Sequence, residues 1–332
     1  MIVLFSQVVN INCPNTSIPL FPIGKTMTKH ETCTNSQVAQ VKWGVTAQTG
    51  VLTDVLLGKP DHFRWVPLNS ISAVTLANME EMGHRFDMQE AMKQHQEMVD
   101  VYERCGVNVH FVEADEGLPS SVFTRDSSFM TPWGAVVASI QTPPRRRDYA
   151  VASEFYNKAG VPIWKWVTAG HFEGGDFCIL KSGVALLGWS GDRSTKEGAE
   201  QVAGWLRDKD WEVLVTPIPP QFVHVDAVVV MLEKGLALVC EDALQPYALD
   251  FIKDTHGIET IPVAYADCVK LGGNLVSLGN KRVLSMSHNV KVNAQLKERG
   301  FDVEAIDYDM FALGGGGVHC SCHELHREPE DG

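Results

Sequence analysis

An apolar hairpin pattern recurs four times along this chain. Each copy has two short runs of β-branched residues or leucine around a turn that contains glycine, which is typical of a β-hairpin. The copies cover residues 128–140, 177–189, 227–240 and 275–286. A polar residue precedes each copy, namely Asp126, Asp176, Asp226 and Asn274, so the intervals are 50, 50 and 48 residues. Self-similarity at a fixed period predicts a repeat architecture.

A helix followed by a strand separates successive hairpins. In residues 194–208 the apolar side chains from Ala199 to Leu206 recur at helical spacing, and Ser194 with Glu197 forms a capping box at the start. The same helix-then-strand plan occupies residues 99–112, 153–166, 248–263 and 293–308. The chain therefore contains five such units.

Five units require a fifth hairpin, and the two ends of the repeat region supply it. Residues 54–60 and 318–325 are strand candidates, and their pairing would close a ring and remove exposed sheet edges. We therefore predict a five-bladed, pseudo-symmetric α/β propeller in which the polar residues before the hairpins converge near the centre. An open α/β sheet is the alternative.

The ends of the chain look different from the repeat region. Residues 1–45 are rich in asparagine, threonine and serine and lack periodicity, which indicates a poorly ordered extension, and Met27 is an alternative start. Their first residues lack the basic stretch and cleavage site of a signal peptide. We expect a single catalytic domain over 46–326 and a short tail over 327–332.

Composition restricts the partners and the compartment. The formal net charge of -13 disfavours binding to phosphate backbones, so nucleic acid is not an expected partner. No apolar run reaches the ~18 residues of a membrane span. Eight cysteines in 332 residues do not form a disulfide scaffold, and several lie in apolar runs, which indicates a reducing, cytoplasmic environment. A homo-oligomer remains open.

The segments between repeats carry the candidate chemistry. They read FTRD (123–126), GHFEGGD (170–176), HVD (224–226), GGN (272–274) and GGGGVHC (314–320). A single aspartate before a strand is usually a turn former. A set of carboxylates, a histidine and a cysteine in register is more informative, because packing alone gives no reason for them to converge.

These motifs, in this order and spacing, resemble the guanidino-group-modifying enzymes, the pentein superfamily. Its members include arginine deiminases, dimethylarginine dimethylaminohydrolases and amidinotransferases, and the resemblance covers roughly residues 50–325. It implies a five-bladed α/β propeller, which agrees with the repeat count.

The resemblance implies a role for each motif residue. Cys320 matches the nucleophile, His224 the general acid and base, and Glu173 the carboxylate that holds the guanidinium and assists proton transfer. Asp126 and Asp226 match acids that bind guanidinium nitrogens.

Two arginines resemble residues that bind the substrate α-carboxylate in arginine-directed members. They are Arg146, in the run 145–148, and Arg193, although Arg145 or Arg147 could be the true equivalent of the first. The substrate is therefore expected to carry a carboxylate as well as a guanidine.

The chemistry of a guanidinium calls for these residue types. Carboxylates fix the planar cation through charge-assisted, bidentate hydrogen bonds. A thiolate then attacks the carbon, and a nearby cation favours the ionised thiol. A histidine can protonate the departing amine and later deprotonate water. We expect neither a metal nor a cofactor.

Four alternatives apply to individual residues. The run 319–323 is dense in metal ligands, so a zinc site on one strand face is conceivable, although a second ligand pair is missing. Cys322 could replace Cys320 as the nucleophile, and His171 could merely support Glu173. The glycines 314–317 do not suit a phosphate-binding loop, because no Lys-Ser/Thr pair or helix pattern follows.

Three functions remain open at this point. The favoured one is a hydrolase that converts a guanidine into a ureido product and releases ammonia or an amine. The first alternative is an amidinotransferase, which the segment 55–67 also resembles, whereas Glu173 is closer to the deiminases and dimethylaminohydrolases. The second is a non-catalytic binding protein, which the presence of Cys320, His224 and Glu173 disfavours.

Overall fold

Five three-stranded sheets make up the fold of the part of the chain that the structure describes. The computed structural model describes residues 43–68 and 70–329. The strands are β1 Leu52–Gly58, β2 Asn108–Val112, β3 Ser128–Thr131, β4 Gly134–Val137, β5 Ile163–Trp166, β6 Phe177–Lys181, β7 Val184–Trp189, β8 Glu212–Pro217, β9 Val229–Glu233, β10 Leu236–Val239, β11 Glu259–Pro262, β12 Val276–Gly279, β13 Arg282–Met286, β14 Asp302–Ile306 and β15 His323–Arg327. The sheet orders are β15-β1-β2, β3-β4-β5, β6-β7-β8, β11-β10-β9 and β12-β13-β14.

Each sheet follows one plan. An antiparallel pair forms the hairpin, and the chain then returns through a helix to a third strand parallel to the middle one. A parallel neighbour needs such a crossover, whereas an antiparallel one needs only a turn. The predicted five-bladed α/β architecture, with its five helix-then-strand units, is confirmed.

The helices that link the strands range from 4 to 17 residues. They are α1 Ser70–Glu81, α2 Met88–Arg104, α3 Asp148–Ala159, α4 Lys196–Arg207, α5 Pro246–Asp250 (continued by a π-helical turn, Phe251–Thr255), α6 Tyr265–Cys268, α7 Val290–Glu298 and α8 Asp309–Ala312. In α4 the predicted apolar face is buried, from Ala199 to Leu206. The predicted cap at Ser194 is wrong by one residue, because the hydroxyl of Thr195 accepts the hydrogen bond from the Gly198 amide.

The two ends of the repeat region close the ring. β1 pairs antiparallel with β15 and parallel with β2, which repeats the plan of the other blades. The paired segments are those predicted, but β15 begins at His323, and residues 318–321 form a turn and not a strand. Residues 43–45, expected in the extension, contact the closing strand instead, where the Gly44 amide donates to the Leu325 carbonyl. The rest of the predicted extension lies outside the described residues.

The core lies between blades. Three clusters of buried aliphatic and aromatic side chains fill the spaces between neighbouring sheets and the helices that cover them. The starts of successive hairpins therefore face the centre of the ring, where polar side chains can meet. Among the described helices, none has the length and apolar character needed to span a membrane.

Arg327 ties the closing strand to its neighbours. Its guanidinium donates to the carbonyl of Gly50 at 2.6 Å, to the carbonyl of Ser277 in another blade at 2.7 Å, and to the Glu324 carboxylate at 3.0 Å. The side chain is buried, so its loss would leave Glu324 with one fewer compensating cation.

We expect Arg327→Ala to lower the free energy of unfolding by about 3–5 kcal/mol, the usual cost of breaking a buried ion pair. Urea denaturation followed by circular dichroism measures this. The matched control is Arg299→Ala, whose pair with Glu259 is exposed and should contribute under about 1 kcal/mol. Equal effects of the two changes would show that closure does not depend on this contact.

Candidate active site

Each blade contributes one polar residue to the centre of the ring. Single 3₁₀ turns at Thr124–Asp126, Gly174–Asp176 and Val225–Ala227 lead directly into the hairpins of three blades. Asn274 precedes β12 in the fourth, and Cys320 precedes β15 in the fifth. The described structure brings four of these residues, Asp126, Asp226, Asn274 and Cys320, to one cavity, as the repeat spacing predicts. The prediction is wrong for Asp176, which does not line the cavity because its Oδ1 accepts from the Val225 amide of the next turn.

Two glycines allow these turns to pack closely. A Cβ on Gly174 would lie 2.1 Å from the carbonyl oxygen of Arg125, and one on Gly175 would lie 2.6 Å from the ring of His224. Real Cβ atoms do not approach so closely, so only glycine fits here. The two glycines of the EGGD motif thus let the second turn touch both neighbours.

His224 lies between two carboxylates. Its Nε2 is 3.0 Å from Oε2 of Glu173, and its Nδ1 is 3.5 Å from Oδ1 of Asp126. Burial disfavours the imidazolium, but the charges of Asp126 and the hydrogen bond to Glu173 outweigh it and raise the pKa of His224 to about 9. The histidine is therefore a cation near neutral pH and can serve as a proton donor.

Glu173 lies behind His224 and does not line the cavity. It is fully buried, its backbone amide donates to Ser194 Oγ at 3.0 Å, and both its oxygens accept from Arg193 Nε. Burial opposes ionisation, but Arg193 and then His224 hold the pKa of Glu173 well below its usual range. This placement suits a carboxylate that charges and orients the histidine.

The structure separates the three arginines considered for the substrate carboxylate. Arg193 lines the cavity beside Glu173, as the sequence predicts. Arg146 does not: it is exposed, and its Nε donates to the carbonyl of Gln141. The adjacent Arg145 lines the cavity instead, where it pairs with Asp126 and Asp148. The one-residue shift arises because Arg145 ends a 3₁₀ turn whose buried side faces Asp126.

Asp226 and Cys320 lie close together on the other side of the site. Oδ2 of Asp226 is 2.8 Å from Nδ1 of His319 and 3.6 Å from Nε of Arg125. Burial opposes the charge of Asp226, but His319 and Arg125 lower its pKa, so it remains ionised. Burial, followed by the charges of Asp226 and Asp126, raises the pKa of the Cys320 thiol to about 12.

The structure distinguishes the two cysteines of the final motif. Cys320 is half-buried and lines the cavity. Cys322 is buried in the apolar core, and burial raises the pKa of its thiol to about 12. The two sulfurs therefore have different surroundings, which disfavours both Cys322 as nucleophile and the pair as zinc ligands. The neighbouring histidines also have other partners, Asp226 for His319 and Tyr156 for His323.

The cavity that these residues share has a volume of about 610 Å³. Its polar end contains Cys320, His224, Asp126, Asp226 and Arg193. The remaining wall is largely apolar and includes Val66, Leu68, Leu76, Met79, Phe222, Val269 and Leu271. Part of that wall comes from helix α1, which no sequence pattern predicts because the helix is mostly exposed and has no apolar stripe.

Asp126, Glu173 and His224 are close enough to share a metal ion, since one ligand atom from each lies within 4.8 Å of the others. Two cations already occupy this environment, because Arg193 contacts Glu173 and Arg145 contacts Asp126. Like charges this close disfavour a further cation. The donor set therefore fits a network of ion pairs better than a metal centre.

Protonation of His224 couples the site to stability. A histidine whose pKa is raised in the folded state stabilises the fold fully below its unfolded pKa of about 6.5, and the contribution is lost as pH rises through about 9. We expect His224→Gln to remove roughly 3 kcal/mol of pH-dependent stability over this window. Urea denaturation of both proteins from about pH 6 to pH 10 measures it. Parallel pH curves for the two proteins would contradict an imidazolium at this position.

Known proteins are similar to this chain in sequence and in fold. The chain is 27% identical over 278 residues to the uncharacterised protein YkgA of Bacillus subtilis, with 84% of this chain and 93% of the relative covered. It is 27% identical over 240 residues to the N(G),N(G)-dimethylarginine dimethylaminohydrolase of Mycobacterium tuberculosis, covering 72% and 77% of the two chains. The N-terminal domain of ArgZ, a cyanobacterial arginine dihydrolase, superposes with a TM-score of 0.72 at 21% identity, covering 83% of this chain and 98% of that one. Residues 60–327 match the model of the eukaryotic N,N dimethylarginine dimethylhydrolases, and the chain belongs to that family.

Proposed function

We propose that this chain hydrolyses the guanidino group of an arginine-like molecule through a covalent amidino-cysteine intermediate on Cys320. Family membership makes the chain a hydrolase of this class, as the sequence predicted in preference to an amidinotransferase or a binding protein.

One observation carries the proposal: a single cavity combines a cysteine, a histidine and two carboxyl groups. Cys320, His224, Asp126 and Asp226 all line it. A nucleophile, a proton donor and anions for a cation are the groups that guanidine hydrolysis requires. Packing alone would not bring them to one polar end of an otherwise apolar pocket.

The carboxylates bind the substrate cation. Oδ1 of Asp126 is buried and accepts no hydrogen bond from any described residue, although its other oxygen pairs with Arg145. Nδ1 of His224 faces this oxygen at 3.5 Å, which is longer than a normal hydrogen bond, so a guanidinium N–H that approaches more closely would be favoured. Asp226, which is ionised, supplies the second negative charge beside Cys320.

Substrate binding activates the nucleophile. Without substrate, burial and the charges of Asp226 and Asp126 keep Cys320 as a thiol, as its pKa of about 12 indicates. A guanidinium between these carboxylates offsets their charge and lies against the sulfur, so it lowers the pKa of the thiol, which then loses its proton to solvent. The thiolate attacks the guanidinium carbon and forms the Sγ–C bond.

His224 transfers the protons of the two half-reactions. As an imidazolium it donates a proton to the departing nitrogen, which leaves as ammonia or an amine while the C–N bond breaks. The neutral imidazole then takes a proton from water, the water oxygen bonds to the carbon, and the Sγ–C bond breaks. The hydroxyl proton of the adduct passes to the departing sulfur as the C=O bond forms, so the products are a ureido compound and the regenerated Cys320 thiol.

Glu173 acts through His224 and Arg193. Its carboxylate lies 3.0 Å from Nε2 of His224, behind the cavity wall, which supports a positioning role instead of the direct contact with guanidinium implied by the family resemblance. Arg193 compensates this buried anion and also reaches the cavity, within 3.6 Å of Asp126.

The names of the relatives indicate which substrates to test first. One relative is a dimethylarginine dimethylaminohydrolase, and others are arginine deiminases at 27% identity. The apolar wall near Phe222 and Leu271 favours substituents that do not hydrogen-bond, so we propose N-methylated arginine ahead of arginine.

The product test uses N,N-dimethylarginine, arginine and excess glycine or ornithine. We expect citrulline with dimethylamine or ammonia, formed at the same rate whether or not the amine is added. Mass spectrometry of the products measures this. A new guanidino compound that forms only with the added amine, without citrulline in its absence, would refute hydrolysis.

Cys320→Ser should abolish turnover with the fold intact, and Cys322→Ser, in the apolar core, should retain most of the activity.

The carboxylate test compares arginine with agmatine, which lacks the carboxylate. Losing a charge-assisted hydrogen bond costs ~1.5–3 kcal/mol, so we expect kcat/KM for agmatine to be about ten- to hundredfold lower. Arg146→Ala serves as the matched control, because this exposed side chain lies off the cavity and should leave KM unchanged. Equal turnover of the two compounds would rule out a carboxylate anchor, and a raised KM in Arg146→Ala would return that role to Arg146.

A further inference from the structure

Cys320 has a hydrogen-bond partner that belongs to another blade. Nδ2 of Asn274 lies 3.1 Å from Sγ of Cys320, and Oδ1 of the same amide accepts from the His319 backbone N–H at 2.9 Å. Asn274 is 1% exposed and also lines the cavity. The amide therefore bridges the nucleophile and the backbone that carries it.

We propose that Asn274 is a further catalytic residue, whose side-chain N–H stabilises the negative charge on the Cys320 sulfur during attack and during departure of the product. The inference rests on the proposed function, since it assigns a partner to the same nucleophile. Sulfur gains negative charge when the thiol ionises and again when the Sγ–C bond breaks, and a fixed N–H donor favours the charged form both times.

The orientation of the amide is fixed by its second contact. An amide nitrogen only donates and an amide oxygen only accepts, so the bond from His319 N–H to Oδ1 turns Nδ2 towards the sulfur. Gly317 leaves the space for this arrangement, because a Cβ there would lie 2.4 Å from Oδ1 of Asn274. Gly317 of the last motif therefore allows the Asn274 amide to approach the turn that carries Cys320.

The charges around Cys320 explain why an amide is needed here. Asp226 and Asp126 both disfavour the thiolate, whereas hydrogen bonds from Asn274 and from the Gly317 region favour it. Three equivalent positions in the other blades hold aspartate. An aspartate at position 274 would place a third carboxylate against the sulfur and remove its donor.

The test measures the thiol directly with iodoacetamide, a neutral reagent, without substrate. Alkylation of Cys320 is followed by mass spectrometry of its peptide at about pH 9. Hydrogen bonds to charged groups contribute ~1.5–3 kcal/mol, so Asn274→Ala should slow alkylation about ten- to hundredfold. Asn274→Asp should slow it at least as much, although it keeps the acceptor for His319 and nearly the same shape. In turnover, kcat should fall with little change in KM.

Asn293→Asp is the matched control, because this buried amide donates to the Met286 carbonyl and not to sulfur. It should alkylate at the rate of the unmodified protein, and thermal unfolding monitors the fold of every variant. A normal rate in Asn274→Asp together with a slow rate in Asn274→Ala would assign the residue a structural role through Oδ1 alone and overturn the proposal. Normal rates in both would overturn it too. Turnover by Cys320→Ser would instead refute the proposed function, which the alkylation comparison does not require.

Discussion

Compensation of buried carboxylates at the centre of the ring is the constraint on which the other features of the site depend. An unpaired buried charge costs several kcal/mol, so each central anion needs a cation or a hydrogen-bond donor beside it. Arg145 pairs with Asp126, Arg193 and His224 pair with Glu173, Arg125 pairs with Asp226, and Arg327 and Arg125 pair with Glu324. His319 adds a hydrogen bond to Asp226. The five-bladed closure brings the anions together, and the arginines stabilise the resulting centre.

The same charges determine how the resting site behaves. Anions beside the cavity keep His224 protonated and keep Cys320 as a neutral thiol. His224 is therefore ready to donate a proton, whereas Cys320 becomes a nucleophile only after a cation has bound. A guanidinium supplies that cation. Reactivity therefore follows from substrate charge, and other electrophiles that lack a positive charge meet a neutral thiol of low nucleophilicity. Stabilisation of the fold and selectivity of the chemistry come from one set of interactions.

Much of this arrangement could be predicted from the sequence, because the repeat period is a property of the backbone plan. The regular intervals from Asp126 to Asn274 predicted where each hairpin begins, and the strand candidates at the two ends of the repeat region predicted the fifth antiparallel pair. Predictions failed where one residue of offset matters. Arg145, not Arg146, lines the cavity, since the phase of a single 3₁₀ turn decides which side chain points inwards. Thr195 caps α4 and frees Ser194 to bind the Glu173 amide. Helix α1 has no apolar periodicity, so no pattern could indicate it.

Pseudo-symmetry gives every blade the same backbone approach to the centre, and function comes from the residues that break the symmetry. Aspartates occupy three of the five equivalent positions, whereas Asn274 and Cys320 occupy the other two and are neighbours in the closed ring. A carboxylate next to the sulfur would repel the thiolate, and an apolar side chain would leave it without a donor. An amide next to the nucleophile avoids both costs. The pairing of β1 with β15 therefore does more than remove sheet edges. It also holds Cys320, the fifth position, beside Asn274, the fourth, and so completes the site.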